Sequence, residues 1–288
     1  MAVGRHRQWS RAVKVLGTVA FMVLALSGSG RIVMPFVMDP AAMEVPTDAQ
    51  GLDTYERAVR GIAAIMVKDL RLPVPERVTV YIYTSRGTFE QGLITDGNVS
   101  PARAAELGNF AIGIGKRRQL LLNDEVFQTN PREWLRLIAH ELAHVAQIEL
   151  ARGEGRAEQW FAEGMAEWVA FNVLERLKLD TVTQRRANAL RGIRSLAALH
   201  AARLDLETLG SPRGFTVRHL KEGSLPTYQL AFLMADYLIG RHGFAASVDY
   251  YRSFATSDDR YENFRRSFGV SLDQFEREIV AHLRDAIK

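Results

Sequence analysis

Apolar positions recur at helical spacing through residues 47–70 (Leu52, Tyr55, Val59, Ile62, Ile65, Met66, Leu70), and Pro73 and Pro75 then interrupt the chain. From Val78 to Tyr83 every residue is β-branched or aromatic, which predicts a strand. Residues 87–108 carry glycine and asparagine and predict loop with a short helix. Phe110 to Gly115 and Gln119 to Asn123 predict two more strands, with Gly115 to Arg118 as the turn between them. Beyond them the apolar period becomes helical around Trp134–Ile148 and again around Trp160–Trp168. Residues 181–199 predict a helix with a basic face and residues 204–226 an irregular connection. The last helices are predicted over 227–241, 244–256 and 271–287. The pattern is α+β, with a small strand-rich N-terminal half and a helical C-terminal half.

The first of the two central helices has its own start signal. Asn130 is placed as N-cap, Pro131 as the first helical residue and Glu133 as reciprocal capping partner, while Gly153 and Gly155 mark its end. Inside it stands His140-Glu141-Leu142-Ala143-His144. Histidines four apart project from nearly the same helix face, so two neutral imidazoles can hold one ion. Glu163, on the following helix, supplies a third ligand, leaving one position of a tetrahedral zinc open. An open position distinguishes a catalytic zinc from a structural one. Glu167 lies four residues after Glu163, so both carboxylates face the metal helix. It is placed to accept the other ring N–H of a ligating histidine and fix its tautomer. Gly164 beside the ligand allows two helices to approach closely.

These residues resemble a known family. HExxH followed after eighteen residues by Glu163 is similar to the gluzincin metallopeptidases, and Trp160-Phe161-Ala162-Glu163-Gly164-Met165-Ala166 resembles the W-x-x-E-G-x-A motif of bacterial peptidase-MA-like proteins. The two motifs cover residues 130–178, with weaker similarity over most of 50–285. The resemblance implies a zincin-like metallopeptidase fold, a Zn2+ cofactor and a peptide or protein substrate bound in a cleft between the two halves. In such an enzyme zinc acidifies a water and polarises the substrate carbonyl, and Glu141 takes the proton and passes it to the leaving amine. Gluzincins often add a Tyr or His from a later helix as oxyanion donor. Tyr228 is the best-placed residue here, ahead of His219 and His200. The strand around Phe110 to Gly115 would pair with the substrate backbone, and small Ala111 and Gly113 would let a peptide come near.

Composition alters the picture at the N-terminus. Arg5, Arg7, Arg11 and Lys14 precede the apolar run Val15 to Leu26, and Ser27 to Gly30 offer small residues for cleavage. Residues 1–30 are therefore expected to be a signal peptide or membrane anchor, 31–46 a linker and 47–288 the peptidase domain. The protein is expected to be exported, periplasmic or extracellular, with the leader removed or retained as an anchor over residues 13–38. Those four basic residues account for the whole excess of 37 basic over 33 acidic side chains. The remainder is formally neutral, and no nucleic-acid partner is indicated. Absence of cysteine excludes disulfides and thiolate zinc sites. The alternative to a peptidase is a catalytically inactive zinc-binding recognition domain in the cell envelope. Glu141 argues against it, because a purely structural site has no use for a general base.

Overall fold

The computed structural model describes residues 30–39, 42–126 and 130–288. Its sheet is built on strand β2 (Arg77–Tyr83), whose alternating side chains serve two cores. Val78, Val80 and Ile82 enter the main core, whereas Tyr81 and Tyr83 enter a smaller cluster on the opposite face. The order is β1-β2-β4-β3, with β1 (Arg31–Val37) antiparallel to β2, β4 (Gln119–Asn123) parallel to it, and β3 (Gly113–Lys116) antiparallel to β4 at the edge. Helices α1 (Tyr55–Lys68) and α4 (Pro131–Ala151) cover the main-core face. On the other face, α2 (Arg86–Thr95) and α3 (Pro101–Gly108) bury Phe89, Leu93 and Ala104 against Leu121 and Tyr83.

The helical half follows α4. Helix α5 (Gln159–Arg176) is sandwiched between α4 and α10 (Ser224–His242), and α6 (Val182–Gly192) packs on α10. Short α7 (Ala197–His200), α8 (Leu206–Leu209) and the longer α9 (Pro212–Glu222) fill the connection. Helices α11 (Phe244–Ser253), α12 (Arg260–Phe268) and α13 (Leu272–Ala286) close the chain around an aromatic cluster. In that cluster Trp160 stacks on Phe275 at 5.4 Å, and Phe161 meets Tyr250, Tyr251 and Phe268. It anchors the first turn of α5, the helix that carries Glu163. The α+β organisation expected from the hydrophobic pattern is therefore present.

Four readings of the sequence need correction. Residues 31–46 are not a bare linker: β1 pairs with β2 along its whole length, and Phe36 and Met38 are buried. A strand hydrogen-bonded in this way cannot also belong to a bilayer span, so an anchor cannot extend over residues 31–38. Helix α1 starts at Tyr55, not near residue 47, because Thr54 caps it and Gly51 just upstream sits at φ +81°. Helix α12 was not expected at all. The leader itself, residues 1–29, lies outside the described residues. Among the described residues no helix is long and apolar enough to cross a membrane.

Candidate metal centre

Helix α4 starts as its sequence indicates, with Asn130 accepting from the N–H of Glu133 at 3.3 Å and Pro131 in the first position. Glu133 does not cap in return. Its carboxylate accepts from Arg136 at 2.7 Å and lies 3.4 Å from Arg185. At the other end the left-handed position is Arg152 (φ +54°), and the N–H of Gly153 closes onto Ile148 at 3.1 Å.

Between these ends α4 presents His140 and His144 to α5. The two Nε2 atoms are 3.1 Å apart, and each is 3.3 Å from Oε2 of Glu163. All three side chains are largely shielded from solvent, and together they form a group that can hold a metal ion. A tetrahedral ion with ligands at about 2.0–2.1 Å separates its ligand atoms by roughly 3.3–3.4 Å, close to the observed triangle. The charge balance also fits a cation. Burial works to lower the His140 pKa, but Glu163 and Glu167 outweigh it and raise it to about 10. Burial likewise opposes, and Glu163 reverses, the shift of His144, whose pKa is raised. Burial pushes Glu163 up, but His144 and His140 hold it well below the ordinary carboxylate range. The buried cluster thus binds positive charge strongly, and a divalent ion can take the place of its protons.

Each of the three side chains has a polar group behind it, hydrogen-bonded in the case of His144 and Glu163 and in ion-pair range in the case of His140. Nδ1 of His140 lies 3.3 Å from Oε1 of Glu167, which also accepts from Arg136 at 2.6 Å. Nδ1 of His144 lies 2.9 Å from Oε1 of Gln147, whose amide donates to Ala162 O on α5 at 3.0 Å. Gln159 donates to the other oxygen of Glu163 at 2.8 Å, leaving Oε2 to the cluster. Gln147, Gln159 and Arg136 were not singled out in the sequence. Their one signal there was a polar residue on a helix face already counted as apolar or solvated.

Glu141 stands beside the cluster without joining it, and its Oε2 accepts from the N–H of Gly115 at 2.6 Å. That bond requires β3 to lie directly on α4. A Cβ on Gly115 would come 2.3 Å from Glu141 O, and one on Gly113 would come 3.1 Å from Glu141 Cγ. The small size of Gly113 therefore serves strand–helix packing, and the same residue also lines the cleft. Strand β3 begins at Gly113, and Phe110, Ala111 and Ile112 line the cleft ahead of it. Gly164 permits a close approach too, but between α5 and α10: a Cβ there would fall 2.1 Å from Ala231 O.

Tyr228, in the second turn of α10, faces the cluster, its ring centroid 6.3 Å from that of His140. Burial, with Glu163, Glu141 and Glu167 nearby, raises its pKa well above 10, so its hydroxyl stays protonated. His219 lies behind it at 6.0 Å and against Phe110 at 4.6 Å. Burial lowers its pKa and outweighs the charge of Glu163. His200 is exposed on α7, 3.2 Å from Arg194 O, and does not line the cleft. Comparison with protein-family models, curated proteins and solved structures finds no match to this chain.

Proposed function

We propose that this protein is an exported or membrane-tethered zinc metallopeptidase of gluzincin type with a zincin-like fold. One observation carries the reading: the buried His140–His144–Glu163 group opens onto a cleft lined by Glu141 and Tyr228. Two imidazoles, one carboxylate and an open side are the donor set of catalytic rather than structural zinc. When bound there, zinc supplies Lewis-acid polarisation of a carbonyl and acidifies water.

The remaining steps belong to the chain. Glu141 is fixed through Oε2 by the Gly115 N–H, so its carboxylate retains capacity for a proton from water. It returns that proton to the leaving amine. Tyr228, kept protonated, donates to the oxygen that gains charge. Glu167 and Gln147 hold the two imidazoles in register, and the Arg136 guanidinium fixes Glu167 in turn. Extended peptide lies along residues 111–113, the approach to edge strand β3, because the N–H of Gly115 farther along is already committed to Glu141.

Chelation tests the function directly. Full-length protein should hydrolyse unfolded peptides, lose that activity on dialysis against a zinc chelator, and regain it when zinc is restored. Activity unaffected by complete zinc removal would contradict the proposal. Tyr228→Phe should lower kcat by about 10²–10³-fold, the cost of removing an oxyanion donor, with zinc content and thermal melting unchanged. Near-normal kcat would move the oxyanion role to another group.

A further inference from the structure

Two cavities meet at the metal group. One, of about 370 Å³, extends toward α6 and α10, and the other, of about 420 Å³, runs past the C-terminal end of α4 and the start of α5. Phe110, Ala111, Gly113, His140, Glu141 and Tyr228 line both. The cleft therefore passes the metal group and continues on each side of it. A polypeptide laid through it has chain on both sides of the reacting bond.

Charge points the same way. Selecting a chain end requires a carboxylate available to an α-ammonium, or a cation available to an α-carboxylate. Among the described residues lining either cavity, the arginines already have acidic partners: Arg136 with Glu133 and Glu167, Arg185 with Asp180 and Glu133, Arg103 with Glu106, and Arg156 with Asp258. Most of the carboxylates are engaged in the same way: Glu133 and Glu167 hold arginines, Glu154 faces Lys116 and Glu163 faces the histidines, while Glu141, steadied by the Gly115 N–H, is the group assigned to the water's proton. Diverting a buried member of these pairs to a terminus would strand its partner, a costly exchange.

The 370 Å³ cavity has the size of a small-ligand pocket. Phe110, Ile112, Leu137, Phe171, Leu225 and Phe232 form its apolar wall. The guanidinium of Arg185 lies over the Phe171 ring at 4.9 Å, which presents hydrocarbon and paired charge to an occupant. Ala189, the small residue on the α6 side, leaves the depth open.

Resting on the metallopeptidase reading above, we infer that the chain is an endopeptidase for extended, unfolded segments. A large apolar or aromatic side chain next to the scissile bond fills the cavity beneath α6 and α10. Substrate termini play no part in recognition.

The test uses zinc-loaded full-length protein and two pools of short random peptides, one with free ends and one N-acetylated and C-amidated. Products are read by mass spectrometry. The expected result is the same internal cuts at matching rates in both pools, with Phe, Tyr, Leu and Met enriched at one fixed position beside the cut. Ala189→Phe should reduce cutting at those sites by about 10–200-fold and spare sites with Gly or Ala there. Leu225→Asp, at an exposed position on the cavity wall, should shift the preference in the same direction without disturbing the core. Single residues released from free ends, and stopped by blocking, would overturn the endopeptidase inference and leave the metallopeptidase reading intact. Internal cuts with no side-chain preference, or a preference unmoved by both variants, would overturn the pocket assignment. No cleavage of either pool would overturn the metallopeptidase reading and this inference with it.

Discussion

Glu141→Gln will keep zinc and lose peptide hydrolysis. Glutamine has the same shape as glutamate, and its carbonyl can still accept the Gly115 N–H that now reaches Glu141 at 2.6 Å. The substitution leaves His140, His144 and Glu163 in place, since Glu141 belongs to none of their contacts at 3.1–3.3 Å. What disappears is a site for the water's proton. General acid–base groups contribute about 10²–10⁴-fold, and kcat should fall by that amount with KM little changed. Steady-state kinetics beside zinc analysis of the same preparation makes the comparison. Unaltered kcat in a zinc-loaded variant would remove Glu141 from the mechanism.

Arg136→Ala should cost about 3–5 kcal/mol of stability, because it removes the guanidinium from Glu167, a carboxylate that the fold buries. Arg136 bridges Glu133 at 2.7 Å and Glu167 at 2.6 Å, and Glu167 is only 7% exposed. The melting temperature should drop by roughly 6–20 °C for a domain of this size. Arg176→Ala serves as control. Its pair with Asp69 is about one-third exposed on both sides, so its loss should cost under about 1 kcal/mol. Equal small effects from the two variants would show that the Arg136 bridge does not hold the centre together.

The metal group was legible because helical spacing determines direction. His140 and His144 share a face by arithmetic, and a second helix carrying Glu163 and Glu167 four apart has to present both to the same neighbour. The contacts behind the ligands were not legible. Gln147 and Gln159 acquire their roles only when α4 and α5 pack, which brings Gln147 onto Ala162 O fifteen residues away. Strand β1 was missed because Ile32 to Met38 is apolar on both faces and continues an N-terminal apolar run, so period alone did not separate strand from span. Helix α12 was missed because four of its nine residues are charged and only two of its positions are strongly apolar core residues. It buries Phe264 and Phe268, one turn apart, and relies on Asp259 to cap it. Gly115 looked like a turn residue, and its need for close contact with α4 appears only when a Cβ is placed against Glu141 O.

The most direct measurement is zinc content of the purified full-length chain after exhaustive dialysis, beside Glu163→Ala. The full chain matters, since a protein begun at Asp39 would lack β1. Near one zinc per folded chain is predicted, with binding sharply weakened in Glu163→Ala, whose folding is followed by circular dichroism. A folded wild-type chain that retains no zinc would contradict the metal centre and the hydrolytic function built upon it.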